Sequence, residues 1–541
     1  VTSGTSIQTT INSATSGDTI NIEAGTYSEC LSFGGKNLSF VGAGTVIIDG
    51  SGCGSTATAT VSGSESISFS TLEMENPNGL VIDADSISST VSLDYVTIES
   101  SGYSAMGPTN LGGVIYSTGA VVIDNSTFSF NAGGLGGVIY MEDGTLSISN
   151  STFDSNSALK GGVLYARDGT EITSYNNLYD GNYSVGLFGG VFSFQYTVSY
   201  TDDSSIYQDN IAESNGGVFY ALHNTNANTP NEITISNGYF NGNGNDLLST
   251  ASGKGGVFYL YSRSTLTVTD TEFIDNTSFG GGVAWIVSAD DTATFDNCSF
   301  DSNFADGGAG GAIGVRGTSA APTDLDIQNS VFIDNLVEYA GGGAISIGSS
   351  SLLEQFGTLN VSGSSFQNNE TSLSNVGYGG AIQVTTSVSD DVTISYSTFQ
   401  GNTAYRSGGA IYIDGTDQIL IELSTFLENT ASSAASYEHH GGAVFINDSA
   451  DVEVSNSIFC GNEVNQYSSS YGSTGGGFYV QNTPDVSVHN TVFQENLSLE
   501  GGGGLAGDTV STFHLKNNTF VGNSSPDGAG FWLVSTPTGY L

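Results

Sequence analysis

The sequence predicts an all-β solenoid, a single-stranded parallel β-helix of about seventeen coils with a short N-terminal helical cap. Three observations lead there. First, one phrase recurs: Asn125-Ser-Thr-Phe128-Ser-Phe-Asn131 with Gly136-Gly137 after it, then Asn150-Ser-Thr-Phe153-Asp-Ser-Asn156 with Gly161-Gly162. Second, its period runs from 25 residues (Phe128 to Phe153) to 34 (Phe332 to Phe366), the length of one three-sided coil with the excess in loops. Third, 75 glycines stand beside only 7 prolines and 11% aromatics. Aromatic and β-branched residues at that level build a core, unlike a disordered linker.

In chain order, Ile7, Ile11 and Ala14 fall at helical spacing among polar residues and predict the cap, residues 1–18. Residues 19–111 form the irregular first coils: short β-type runs such as Thr19-Ile-Asn-Ile22 and Thr45-Val-Ile-Ile48, separated by Gly25, Gly34-Gly35, Gly42 and Gly50. The regular repeat occupies 112–541. Later copies are Phe273…Asn276, Phe332…Asn335 and Phe399…Asn402, each followed by a Gly-Gly pair.

Stacking explains the phrase. Coils of a parallel β-helix repeat at about 4.8 Å, so equivalent residues form ladders along the axis. Phe128, Phe153, Phe273, Phe332 and Phe399 are expected to form an inward aromatic ladder, with Ser or Thr two residues earlier on the same face. Asn131, Asn156, Asn276, Asn335 and Asn402 are expected at a bend, tolerating unusual backbone angles while their amides bond the adjacent coil. The Gly-Gly pair marks a second corner, where the backbone needs positive φ or close approach.

The helical cap followed by Gly-Asp-Thr-Ile-Asn-Ile resembles the opening of right-handed parallel β-helix proteins, a group that includes pectin-processing enzymes and adhesins. Gly-Gly-Ala/Val-Ile alternating with Phe-x-x-Asn over about residues 112–530 resembles the chlamydial polymorphic outer-membrane protein family. That resemblance implies a β-helical passenger with an adhesive role. The bacterial members end in an outer-membrane barrel, and no such barrel follows in this sequence.

Eight Lys and Arg against 54 Asp and Glu give a net charge of −46, which excludes nucleic acid and anionic membranes as partners. No apolar run reaches the roughly 18 residues that span a bilayer. Cys30 and Cys53, about one coil apart, are expected to form a disulfide, which implies an oxidising compartment. Cys298 and Cys460 lie on the order of 24 Å apart by coil count and cannot pair.

No catalytic, cofactor-binding or metal site is predicted. The basic residues Lys36, Lys160, Arg167, Lys254, Arg263, Arg316, Arg406 and Lys516 are scattered, none in an obvious ladder beside carboxylates. Asp202-Asp203, Asp290-Asp291 and Asp390-Asp391 are read as solvated loops. Glu438-His439-His440 is the one histidine cluster, in a long loop without a third well-placed ligand. Asn241-Gly-Asn-Gly-Asn-Asp246 faintly resembles a calcium turn, but diffuse Ca²⁺ binding to the acidic surface is the better expectation. Thr56–Thr60 and Thr265–Thr269 lack the neighbouring ladders that an ice-binding face requires.

Asn-x-Ser/Thr occurs twelve times. Asn37, Asn125, Asn150, Asn297, Asn360, Asn447 and Asn517 are the glycosylation candidates on a eukaryotic secretory route. Asn182, Asn276, Asn369, Asn496 and Asn523 use the structural bend asparagine and rank lower. Long spacers at 243–255, 429–441 and 462–476 are expected to protrude, where a solenoid carries recognition.

The predicted function is a non-enzymatic extracellular or cell-surface rod, structural or adhesive, or the protomer of a filament assembled end to end. Apolar residues 528–541 form an uncapped strand-like end that predicts further chain or a partner subunit. The alternative is a carbohydrate-active enzyme or glycan-binding β-helix acting on an extracellular polysaccharide.

Overall fold

The computed structural model describes residues 1–54, 56–102, 112–223, 229–246, 252–287, 292–317, 323–348, 356–372, 377–386, 391–433, 439–466, 472–535 and 538–540. The chain divides into two compact units, Val1–Thr265 and Leu266–Leu541. Each is a right-handed parallel β-helix with three sheets. Among the described residues the third sheet of unit 1 has nine strands, from Leu31–Ser32 to Phe258–Tyr261, and that of unit 2 has nine, from Ala284–Val287 to Phe531–Val534; the coil number, about fifteen, is near the seventeen expected.

One coil of unit 1 shows how sequence becomes structure. Thr145–Ser149 turns Leu146 and Ile148 inward by simple alternation. It lies in parallel register between Ala120–Asp124 and Glu171–Tyr175. Asn150, at φ 50°, makes a left-handed corner, and Thr152–Asp154 turns Phe153 inward. Ser155, at φ 54°, makes the next corner and delivers the chain to the second sheet, Ser157–Lys160. Gly161 then turns it into the third, Leu164–Arg167. A Cβ on Gly161 would sit 2.1 Å from the Leu164 carbonyl oxygen, so only glycine fits this corner.

Phe128, Phe153, Tyr179, Tyr207 and Phe240 form the inner column of unit 1, with neighbouring ring centres 4.4–5.1 Å apart. In unit 2 the column runs Phe273, Phe300, Phe332, Phe366, Phe399, Phe426, Phe459, Phe493 and Phe520 at 4.3–5.0 Å. Such stacked pairs contribute about 0.5–1.5 kcal/mol beyond their burial.

Beside the rings runs an asparagine ladder. Asn156 donates from Nδ2 to the Phe128 carbonyl at 2.9 Å and to Asn182 Oδ1 at 3.0 Å, while its backbone N–H reaches the same Oδ1 at 3.0 Å. Asn335 repeats this with the Phe300 carbonyl and Asn369. Both asparagines are fully buried. The unusual backbone angle expected on the asparagine falls instead on the residue before it, Ser155 or Asp334. The asparagine itself is thereby free to point inward. A parallel ladder of Ser126, Ser151 and Asn177 in unit 1, and of Cys298, Ser330, Ser364 and Ser397 in unit 2, accepts backbone N–H groups from the preceding coil through all members after the first.

At the N-terminus the helix Ile7–Ser13 buries Ile7 and Ile11. Glu29 caps it, accepting from Ser6 Oγ and from the Ile7 and Gln8 N–H groups at 2.8–2.9 Å. A carboxylate at this position also complements the helix dipole. Cys30 and Cys53 are disulfide-bonded, with Cα atoms 5.7 Å apart.

Two local readings of the sequence are corrected. Asp202-Asp203 belongs to the strand Ser199–Asp203, with Asp202 fully buried and Asp203 outside, because strand alternation splits the pair. His439–His440 is a short strand paired with Ser473–Thr474, and His439 is buried. Asp291, Asp290, Asp390, Glu438 and the spacer residues 247–251, 434–438 and 467–471 lie outside the described residues, while Asp391 is exposed at the start of Asp391–Ser395.

Candidate functional site on the outer face of the third sheet

The second residue of each third-sheet strand points outward. In unit 1 the register aligns Tyr116, Tyr140, Tyr165, Ser193, Tyr220 and Tyr259. Tyr116, Tyr140 and Tyr165 stack at 5.2–5.4 Å, and Tyr220 and Tyr259 at 5.4 Å. At Ser193 the column lacks a ring of its own, and Phe188 from the preceding corner stacks on Tyr220 at 4.1 Å.

Two residues further along, Glu142, Arg167 and Gln195 are aligned in the same register. The Arg167 guanidinium hydrogen-bonds the Asp168 carboxylate, lies 3.8 Å from Glu142 and sits over the Tyr196 ring at 5.5 Å. Burial works against its charge, but the Asp168 carboxylate and Tyr140 outweigh that and hold its pKa above the ordinary arginine value. The Tyr165 hydroxyl donates to Gln195 Oε1 at 2.6 Å, and Tyr140 to Glu142 Oε2 at 3.4 Å. Burial first, then Asp85 and Glu142, push Tyr116 up to about 12. These hydroxyls are therefore hydrogen-bond donors at neutral pH. With the Tyr165 and Tyr140 protons engaged on Gln195 and Glu142, the arrangement offers a polar ligand the hydroxyl oxygens as acceptors, while its guanidinium is already matched by carboxylates.

Arg167 corrects the reading that no basic residue falls in a ladder beside carboxylates. The signal was the 25-residue separation of Glu142 and Arg167, one coil, shared with Tyr140 and Tyr165.

Unit 2 carries a counterpart. Tyr378, Tyr412, Phe445 and Tyr479 stack at 4.3–5.3 Å, Arg406 lies over Tyr378 at 4.9 Å, and His440 stacks on Tyr479 at 4.5 Å. The Tyr412 hydroxyl donates to Asp414 at 3.4 Å. Burial, then His439 and Arg406, lower His440 to about 4, so it is neutral in most media. Its Nδ1 lies 2.7 Å from Thr474 Oγ1, and His439 Nδ1 lies 2.9 Å from the Arg406 carbonyl oxygen. Among the described residues no three His, Cys, Asp or Glu side chains gather as a metal site. The calcium-like turn is absorbed by the fold: Asn243 Oδ1 accepts from Asn210, and Asn245 is buried.

The free cysteines differ in burial. Cys298 occupies a serine-ladder position, where burial pushes its thiol up to about 12. Cys460 is half-buried, on the outward side of Phe459.

The sequon asparagines sort by position. Asn37, Asn150, Asn297, Asn360 and Asn517 are exposed, and Asn125 and Asn447 are half-buried. Asn150 and Asn297 occupy left-handed corners and donate from Nδ2 to Asp124 and Asp270 of the preceding coil at 2.9 and 2.6 Å. Asn182, Asn276, Asn369 and Asn496 are fully buried in the inner ladder, and Asn523 is half-buried.

The Chlamydia polymorphic membrane protein repeat profile matches residues 396–414, spanning the Phe399, Asn402 and Gly408-Gly409 copy. The chain is a β-helix repeat protein similar to that family in its repeat. No curated protein matches the sequence. Among solved structures, a PL6 family alginate lyase aligns at 12% identity and a TM-score of 0.22, covering 95% of this chain and 98% of that one. A mannuronic acid-specific polysaccharide family 6 lyase from human gut microbiota aligns at 9% identity and 0.21, over 92% and 82%. Neither alignment bears on the chemistry of this chain.

Proposed function

We propose that the protein is a non-enzymatic structural or adhesive β-helix of the cell exterior, presenting its outer faces to a surface glycan or to further copies of itself. One observation carries this reading. The outer cluster at Arg167 is internally neutralised by Asp168 and Glu142 and flanked by tyrosines that hold their protons. Acid–base cleavage of an acidic sugar needs a base near its working pH and a cation available to the substrate carboxylate. The charge of −46 favours diffuse, weak Ca²⁺ association over a dedicated site. If the chain follows a eukaryotic secretory route, the exposed sequons at Asn150 and Asn297 are where glycans attach.

The test is incubation with alginate, polygalacturonate and neutral polysaccharides, monitoring new unsaturated or reducing ends. No turnover is expected, and sustained turnover abolished by Arg167→Ala would overturn the reading. The second reading, a glycan-binding surface, rests on the Tyr140, Tyr165, Gln195 and Arg167 hydrogen-bonding edge. A glycan array expects binding that Tyr165→Phe weakens while the fold is retained.

A further inference from the structure

Two adjacent coils of unit 1 depart together from the apolar interior. Where their neighbours carry Ile148 and Ile235, the first sheet carries Ser174 and Asp202. Within the unit 1 inner column described above, tyrosine replaces phenylalanine at Tyr179 and Tyr207, in these same coils. Tyr200 takes the place held by Ile172 and Ile233. Asn177 and Ser205 hold the serine-ladder positions. All seven side chains are buried, and they are mutually bonded: Ser205 Oγ donates to Asp202 Oδ1 at 2.6 Å, Tyr200 and Tyr207 share a 2.6 Å hydroxyl contact, and Ser174 Oγ meets Tyr179 at 3.2 Å. Asp202 Oδ2, wholly buried, has no hydrogen-bond partner.

A carboxylate in a dry interior with one oxygen unpaired is costly unless it takes up a proton. A protonated carboxyl would turn that oxygen into a donor among hydroxyls able to accept. We propose that this network is a proton-linked switch in which uptake of one proton by Asp202 tightens the unit 1 coils between Glu171 and Gln208.

The surroundings agree from each side. The strand of Asp202 itself contributes the titratable hydroxyl of Tyr200 and the neighbouring first-sheet strands those of Tyr179 and Tyr207, while Phe192, Phe194 and Phe219 of the third sheet pack on Tyr200. The charged neighbour acting on Asp202 is Asp203, on the opposite face, which opposes ionisation. Burial pushes the Asp202 carboxyl up to about 6, against the pull of the Ser205, Ser174 and Tyr207 hydroxyls. Because the folded value lies above the ordinary carboxylate value, the folded state binds the proton more tightly. The added stability is complete below pH ~4 and is lost as pH rises through about 6.

The test is amide hydrogen exchange, corrected for intrinsic rates, between pH ~5 and ~7.5. Local opening of Glu171–Tyr175 and Ser199–Asp203 is expected to become roughly tenfold rarer in acid, relative to unit 2 strands such as Asp391–Ser395. Asp202→Asn should abolish that difference and leave the coils more protected than wild type at pH ~7.5. An unchanged pH response in Asp202→Asn overturns the proposal. Should that variant not fold, Ser205→Ala removes a donor that favours the charged form, so the transition must move to higher pH. A transition that stays in place or moves down is equally fatal.

Discussion

Inside unit 2 the aromatic column runs unbroken from Phe273 to Phe520, whereas the outer column of the third sheet changes at nearly every coil. It passes from Trp285 through Gly314, Ser346 and Gln383 to Tyr412, Phe445, Tyr479, Ala506 and Trp532. Both columns are stacks at one-coil spacing. The difference lies in who can fill a gap. An inner slot is enclosed by its own coil and the two adjoining ones, so a missing ring leaves a void. An outer slot can borrow: a Cβ on Gly314 would come within 2.5 Å of the Trp285 ring, and Tyr378 stacks on Tyr412 at 4.3 Å where the column itself supplies Gln383. Continuity inside therefore reports a requirement of folding, and variation outside leaves room for function.

Substitutions can break this contrast. The largest effect is expected for Phe332→Ala, whose ring is held between neighbours at 4.3 and 4.7 Å. It should lose about 3–5 kcal/mol of local stability by hydrogen exchange. A loss below ~1 kcal/mol would mean that inner slots also refill. Next comes Asn335→Ala, which strands the buried Phe300 carbonyl and the Asn303 N–H. A cost of about 2–4 kcal/mol is expected in the same measurement. Tyr140→Ala, outside, should cost about 1.5–3 kcal/mol, the burial term alone, because the corner segment can settle into the space. A cost equal to that of Phe332→Ala would erase the distinction. Smallest is Arg167→Ala, a side chain one-third exposed, for which thermal unfolding should shift by about 1 kcal/mol or less.

How legible these regions were follows the same line. The inner ladder could be read from sequence because each coil repeats its own residues, Phe153 and Asn156 or Phe399 and Asn402, without reference to the rest of the chain. The Arg167 cluster needs the register between coils of unequal length, which fixes Glu142 beside Arg167 and Arg167 beside Gln195. Asp202 was hidden by its neighbour: an Asp-Asp pair looks solvated until the strand phase set by Tyr200 turns one member inward. The left-handed angle at Ser155 was assigned one residue late for a related reason. Asn tolerates that conformation, but in this fold the amide of the ladder Asn is worth more as a buried bridge between coils, and the residue before it takes the corner, whether Ser155, Asp334, Gly401, Glu428 or a second asparagine, Asn368.

The asparagine ladder also sets a rule for how such a chain can change length. Within each unit a ladder Asn gives its successor's Oδ1 the same two hydrogen bonds, from its backbone N–H and its Nδ2, whether 27 residues separate them, as from Asn402 to Asn429, or 34, as from Asn335 to Asn369. Excising the segment from one ladder Asn to the next brings together two partners already shaped for each other. Removing ten residues from within a coil does not. Length in this protein is thus quantised: whole coils can be added or lost by recombination between repeats, as beads on an abacus, while the joints on either side keep their geometry.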